Sequence, residues 1–242
     1  AAPYFDWFLT DGTLDGLDYT GIAAHNAVRK CAAGAYINQQ WMEPSNEQVD
    51  KLIQMANAGQ CDQAIVGNEP LLNNGINMPV ATLKSFIQRA RNGITSNVPI
   101  TTALISGNWI RYAADIVPLV DVCNIHIYPW WEEIKDVTRA LTLLNTEYQA
   151  TVAAIHKVSP GKKCYLGETG WPSQGDPAAT VANQVLYFKG VQNWAKSEGI
   201  DVFWFEMLNE KWKDEGSVGA YWGIWGEANP GTTPPLVWPN MP

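Results

Sequence analysis

From residue 33 onward, short apolar runs alternate along the chain with longer stretches in which apolar residues recur every three to four positions. The short runs read as strands and the longer stretches as amphipathic helices, so the alternation predicts repeated β/α units around a parallel sheet. Strands are predicted at 33–38, 63–69, 99–104, 120–128, 163–168 and 201–206. The run Val122 to Tyr128 is one of several that suit a sheet covered on both faces.

Helices are predicted between them. Ser45 with Gln48 forms a capping box ahead of Val49, Leu52, Ile53 and Ala56, and Gly59 stops that helix, giving 46–58. Leu83, Phe86, Ile87 and Ala90 fall on one face of a second helix, which ends at Gly93. Further helical periods run near 108–117, 136–157 and 178–198, the last opened by Asp176-Pro177.

The expected fold class is α/β, a (β/α)8 TIM barrel. Six strands are counted between residues 33 and 206, so the other two would have to come from residues 1–30. A full βαβ unit takes roughly 30 residues, so the first βα units are expected to be abbreviated or irregular. The tail 214–242, rich in Gly, Pro and Trp, reads as loops rather than as a second domain, and residues 1–242 are expected to form a single catalytic barrel domain.

Composition narrows the function. The formal net charge of -8 repels a phosphate backbone, and no apolar run approaches the roughly 20 residues that span a bilayer, so neither nucleic acid nor membrane is an expected partner. The start, Ala-Ala-Pro-Tyr, has no charged segment followed by an apolar one, which reads as a chain whose signal peptide has been removed. Cys31, Cys61, Cys123 and Cys164 form no CxxC pair, and His25, His126 and His156 are too scattered for a metal site. No metal or cofactor is expected, and no dinucleotide fingerprint, P-loop, His-Glu-x-x-His or Gly-x-Ser-x-Gly motif is present. Strand order predicts the bridges Cys31–Cys61 and Cys123–Cys164, each pair near the starts of neighbouring strands.

In a barrel, chemistry-bearing side chains project from the C-terminal ends of strands. Glu69, in Ala64-Ile-Val-Gly-Asn-Glu-Pro70, and Glu168, in Tyr165-Leu-Gly-Glu-Thr-Gly-Trp-Pro172, both stand at such ends with a glycine close before them. Two carboxyl groups suffice to break a glycosidic bond without metal, one protonating the leaving oxygen and the other attacking or assisting from the opposite face. The chain also holds 12 tryptophans, among them Trp130, Trp131, Trp171, Trp222 and Trp225; packing accounts for most of them, and a few, with those in loops the better candidates, are expected to offer flat faces to sugar rings.

The motifs Val66-Gly-Asn-Glu69, Asn124-Ile-His-Ile-Tyr-Pro129, Gly167-Glu-Thr-Gly-Trp-Pro-Ser173 and Phe203 to Lys213 resemble, in order, the strand-end motifs of glycoside hydrolase family 17. That family comprises β-1,3-glucanases and related fungal cell-wall glucanosyltransferases. The resemblance implies retaining cleavage of β-1,3-glucan, by hydrolysis or transglycosylation, with Glu69 as acid/base and Glu168 as nucleophile. It also implies that Asn68 binds the sugar 2-hydroxyl, that Tyr128 orients the nucleophile, that Glu206, Glu210 and Lys213 belong to the sugar-binding floor, and that Trp171 is a substrate-binding aromatic beside the nucleophile. For Glu210 and Lys213 an i, i+3 ion pair on a short helix weighs equally.

Trp130, Trp131 and Glu132 follow the strand that carries Tyr128, and are expected to bind an acceptor sugar. His126 is expected to line the strand interior. A secreted or cell-wall monomer acting on β-1,3-glucan and its oligosaccharides is the resulting expectation. The competing class is a non-catalytic β-glucan-binding protein on the same barrel.

Overall fold

The computed structural model describes residues 3–73, 78–227 and 235–238. Seven parallel strands form one sheet in sequential order, with helices between them: β1 (Trp7–Thr10), β2 (Lys30–Ala35), β3 (Gln63–Asn68), β4 (Ile100–Ile105), β5 (Cys123–His126), β6 (Cys164–Thr169) and β7 (Val202–Trp204). The helices are α1 (Thr20–Asn26), α2 (Met42–Asn57), α3 (Val80–Gly93), α4 (Ser106–Ile116), α5 (Val137–Val158) and α6 (Val181–Glu198). The fold class is α/β, of the (β/α)8 type.

The six strands expected from residue 33 onward are all present, with β2 starting three residues earlier than its hydrophobic run suggests. The opening segment supplies one strand, β1, and one two-turn helix, α1, rather than two complete units. Trp7↔Lys30 and Thr10↔Ala33 set β1 in register with β2. Among the described residues no eighth strand forms. After β7 the described residues of the tail make single bridges, Leu208 with Trp225, Glu215 with Ser217 and Trp225 with Leu236. Tail residues 228–234 and 239–242 lie outside the described residues.

Two compact units divide the chain: Ala1–His126 with Ala150–Tyr165, and Ile127–Gln149 with Leu166–Pro242. In the first, Cys31 to Ala33, Ala64 and Val66 are wholly buried in β2 and β3. Val49, Leu52, Met55 and Ala56 of α2 and Leu83, Phe86, Ile87 and Ala90 of α3 cover those strands. Each of the larger of these side chains, Val, Leu, Ile, Phe or Met, contributes about 1.5–3 kcal/mol through removal from water.

The Ser45/Gln48 capping box does not form. Helix α2 begins at Met42, placing Ser45 inside it, where its hydroxyl donates to the Trp41 carbonyl at 2.6 Å and accepts from the Asn38 amide at 2.9 Å. The Gln48 side-chain Oε1 accepts instead from the Thr13 amide and hydroxyl, at 2.6 and 2.8 Å, tying down the loop after β1. A distant partner outbid the local one, which no spacing rule anticipates. Likewise α6 starts at Val181, capped by the Thr180 hydroxyl accepting from Asn183 N, while Asp176 closes a separate turn onto Ala178.

The two expected cysteine pairs are neighbours, but all four residues are thiols. The bridges are therefore not formed. Cys123 N donates to Lys163 O at 2.9 Å, and this register brings the Cys123 and Cys164 thiols into hydrogen-bonding contact on one face. Burial pushes the Cys31 and Cys61 thiols up to about 12, with Asp62 adding to the rise in both and Cys31 adding to that of Cys61. Register decides which sulfurs meet, whereas joining them requires an oxidant from outside the chain.

The interior of the second unit is aromatic. Trp171 packs on Trp130 at 5.0 Å and on Tyr187 at 5.3 Å, and Phe188 packs on Trp204 and Trp238. Buried Gln184 ties these rings to the backbone. Its amide nitrogen donates to the Trp171 and Trp222 carbonyls, and its oxygen accepts from the Trp238 indole at 2.6 Å. A buried amide with every partner in place fixes one arrangement of the core.

Candidate active site

In the first unit the site begins where β3 breaks its ladder. The register with β4 shifts between Ile65 and Asn68, and Gly67 has φ +89. A Cβ at Gly67 would lie 2.9 Å from Ile37 and Pro70, so both the backbone angle and the space demand glycine here. The bulge re-aims the next two residues. Glu69 itself has φ +48, which costs a non-glycine residue roughly 1–3 kcal/mol and is held by Glu69 N donating to Ala103 O at 2.9 Å.

The Glu69 side chain is partly accessible, and its Oε1 lies 2.8 Å from Nδ1 of His126, whose ring is buried. Asn68, half-buried, precedes it. His126 is thus the partner of Glu69, a role its sequence position did not disclose. The available signal was alternation, since Asn124 and His126 share one face of β5.

In the second unit Glu168 sits on β6 with 6% of its surface exposed. The Tyr128 hydroxyl donates to Glu168 Oε2 at 2.8 Å, and Ile127 N donates to Glu168 O at 3.1 Å. Phe205 and Trp222 meet the Tyr128 ring edge-on at 5.8 and 5.6 Å, leaving it little freedom to turn. Behind Glu168, a Cβ on Gly170 would lie 2.1 Å from Phe205 O, so this turn also requires glycine.

Past β7, Lys213 Nζ lies 2.5 Å from Glu206 Oε2 and 2.6 Å from Glu210 Oε2. The i, i+3 pair of Glu210 with Lys213 exists, therefore, but on a turn rather than the expected short helix, and Glu206 joins it. Burial pushes the Glu206 carboxyl up to about 8; Lys213 opposes that rise and Glu210 adds to it. Burial works against the Lys213 ammonium, but its two glutamates hold it above the ordinary lysine value. Among the described residues, Glu206 Oε1 is buried without a hydrogen-bond partner.

The tryptophans divide by exposure. Trp131 is 48% exposed and tilts against Trp222 at 5.5 Å. Trp130 and Trp171, expected to touch substrate, are 2% and 0% exposed and present no ring face to solvent. Each is instead satisfied from within: Lys135 lies 3.8 Å over the Trp130 ring, and the Trp171 indole donates to Ala178 O at 3.0 Å. Their surfaces are spent on each other because the interior of this unit is built from rings. Glu132 is exposed and shares a hydrogen bond with Glu147, whose carboxyl is pushed up to about 7 by burial first and by Glu132 second.

The chain matches the BtgE/BtgC glycoside hydrolase domain over residues 11–223. It is 23% identical over 226 residues to a probable beta-glucosidase btgE of Aspergillus fumigatus, covering 89% of this chain and 38% of the relative. It is 30% identical over 173 residues to a glucan 1,3-beta-glucosidase of Schizosaccharomyces pombe, covering 65% of this chain and 52% of the relative. The chain therefore spans about two fifths and one half of these two relatives. Its fold is similar to that of the family 17 β-1,3-glucanosyltransferase of Rhizomucor miehei, with a TM-score of 0.77 at 22% identity, covering 96% of this chain and 86% of that one. The strand-end motifs and the match over residues 11–223 agree, and the chain belongs to the BtgE/BtgC glycoside hydrolase domain family, with structural neighbours in glycoside hydrolase family 17.

Proposed function

We propose that the chain cleaves β-1,3-glucosidic bonds of β-1,3-glucan with retention of configuration, Glu69 acting as acid/base and Glu168 as nucleophile. The observation that carries this reading is the bond from the Tyr128 hydroxyl to Glu168 Oε2 at 2.8 Å. It supports a carboxylate aimed by a fixed donor, as a nucleophile must be. Glu69, more accessible and held by His126, suits the group that protonates the departing oxygen and then takes a proton from the incoming one.

In this reading Glu168 attacks the anomeric carbon while Glu69 delivers its proton to the glycosidic oxygen. Water or the hydroxyl of another glucan chain then resolves the glycosyl-enzyme. Asn68 binds the 2-hydroxyl. Glu206 offers Oε1 to a sugar hydroxyl from within the Lys213 cluster. Trp131 and Glu132 form the acceptor side. The protein works as a secreted or cell-wall monomer, with the whole chain as one catalytic barrel.

Incubation with short β-1,3-gluco-oligosaccharides tests the activity, with products resolved by size and the first-formed anomer read by proton NMR. Shorter products mark hydrolysis, longer ones mark transfer, and initial formation of the β-anomer marks retention. Binding without any turnover would favour a non-catalytic glucan-binding protein.

A further inference from the structure

From the loop after β2 we infer a second sugar-binding platform, in which Trp41, backed by Tyr36, stacks against a glucose unit of the bound chain away from the cleaved linkage. This inference rests on the reading of the protein as a β-1,3-glucan enzyme.

Trp41 is 56% exposed and packs against Tyr36 with ring centroids 6.5 Å apart at 44°. Its position relative to Glu69 follows from the register of neighbouring strands. Ala35 pairs with Val66, and Ile37 packs so closely on Gly67 that a Cβ there would lie 2.9 Å away. The segment leading to Trp41 thus runs beside the bulge that aims Glu69, one strand spacing of about 4.8 Å across. Residues that follow the C-terminal ends of barrel strands line the face where substrates bind.

The backbone around the indole is unusually constrained for a loop that exposes so much apolar surface. Trp41 N donates to Asn38 O at 3.1 Å and Ser45 N donates to Trp41 O at 2.9 Å. The Ser45 hydroxyl binds both Trp41 O and Asn38 N, and the Asn38 side chain accepts from Gln40 N at 2.9 Å. Such a net holds the ring out instead of letting it collapse onto the core, and so lowers the entropy lost when a ligand docks. The surroundings are polar, with the exposed Gln39 and Gln40 preceding the indole. A flat ring flanked by amides matches a glucose unit, which offers axial C–H bonds on its face and hydroxyls at its rim.

The test uses the Glu168→Gln protein, which binds without turning over, and titrates it calorimetrically with β-1,3-gluco-oligosaccharides of increasing length. Affinity rises with length, and Trp41→Ala in that background flattens the rise, lowering affinity for the longest oligosaccharides by about tenfold and for the shortest by much less. Equal affinities at every length with and without Trp41 overturn the inference. So does a change in sedimentation on Trp41→Ala without a change in binding, which would mark the indole as a contact between copies. If Trp41→Ala fails to fold, Trp41→Tyr and Trp41→Gln replace it: tyrosine keeps the length dependence and glutamine loses it, and indistinguishable variants overturn the proposal. Absence of β-1,3-glucan cleavage by the unaltered protein would instead defeat the proposed activity itself.

Discussion

His126 Nδ1 lies 2.8 Å from Glu69 Oε1, so a buried imidazole on β5 holds the carboxyl group that stands at the broken end of β3. The ring sets the orientation of Glu69 without needing to touch a sugar. His126→Ala removes that hold, and kcat should fall by about 10- to 100-fold with little change in KM. His126→Asn, which retains a polar group at the position, should recover part of the loss. An equal loss in both variants, or a change confined to KM, would show that the contact does not position Glu69.

Glu69→Gln and Glu168→Gln should each lower turnover by several orders of magnitude while leaving the melting temperature nearly unchanged, because both stand at strand ends. Activity near that of the unaltered protein in either variant would remove that residue from the chemistry.

Tyr128→Phe deletes one hydroxyl and keeps the ring that Phe205 and Trp222 enclose. A hydrogen bond to a charged carboxylate is worth about 1.5–3 kcal/mol, so kcat/KM should drop by roughly 10- to 100-fold. Circular dichroism should show the same fold. A variant that turns over normally would mean that Glu168 does not depend on this donor.

Exposure separates the paired tryptophans. Trp131→Ala should reduce the yield of elongated products more than it reduces donor cleavage, since its indole faces solvent. Trp130→Ala should destabilise the protein by about 3–5 kcal/mol, as removal of a buried aromatic does, and lower all activities together. Size-resolved product analysis combined with denaturant titration distinguishes the two outcomes.

Glu147 has a folded value of about 7 against a usual value of 4.5, so the folded state binds its proton more tightly than the unfolded state. Its contribution to stability is present below about pH 4.5 and is lost as pH rises toward about 7. Glu147→Gln cannot titrate, and its melting temperature should decline less than that of the unaltered protein between these limits. Parallel declines would show that the Glu132–Glu147 contact does not retain a proton.

Much of this architecture was legible in the chain. Short apolar runs and period-3.6 patterns placed six strands and the main helices to within a few residues, because a strand covered on both faces is apolar throughout whereas a helix buries one face. Strand ends marked by Gly67-Asn-Glu-Pro70 and Gly167-Glu-Thr-Gly170 located the two glutamates, since a ladder stops where proline removes a donor or glycine permits a turn. The opening segment was harder to read. Its single strand and short helix carry too few apolar repeats for periodicity to register them.

What only the tertiary structure decided concerns partners distant in sequence. Glu69 and His126 are separated by 57 positions, and no local rule selects one histidine over another at such a range; Tyr128, 40 positions from Glu168, was marked only by the family resemblance, and its bond to Glu168 Oε2 is seen in the fold. Gln48 turned from its own helix terminus to Thr13 for the same reason. Trp130 and Trp131 are adjacent and chemically identical, yet one is 2% exposed and the other 48%. Composition marks both as large rings, but only packing against Trp171 and Lys135 determines which one is buried.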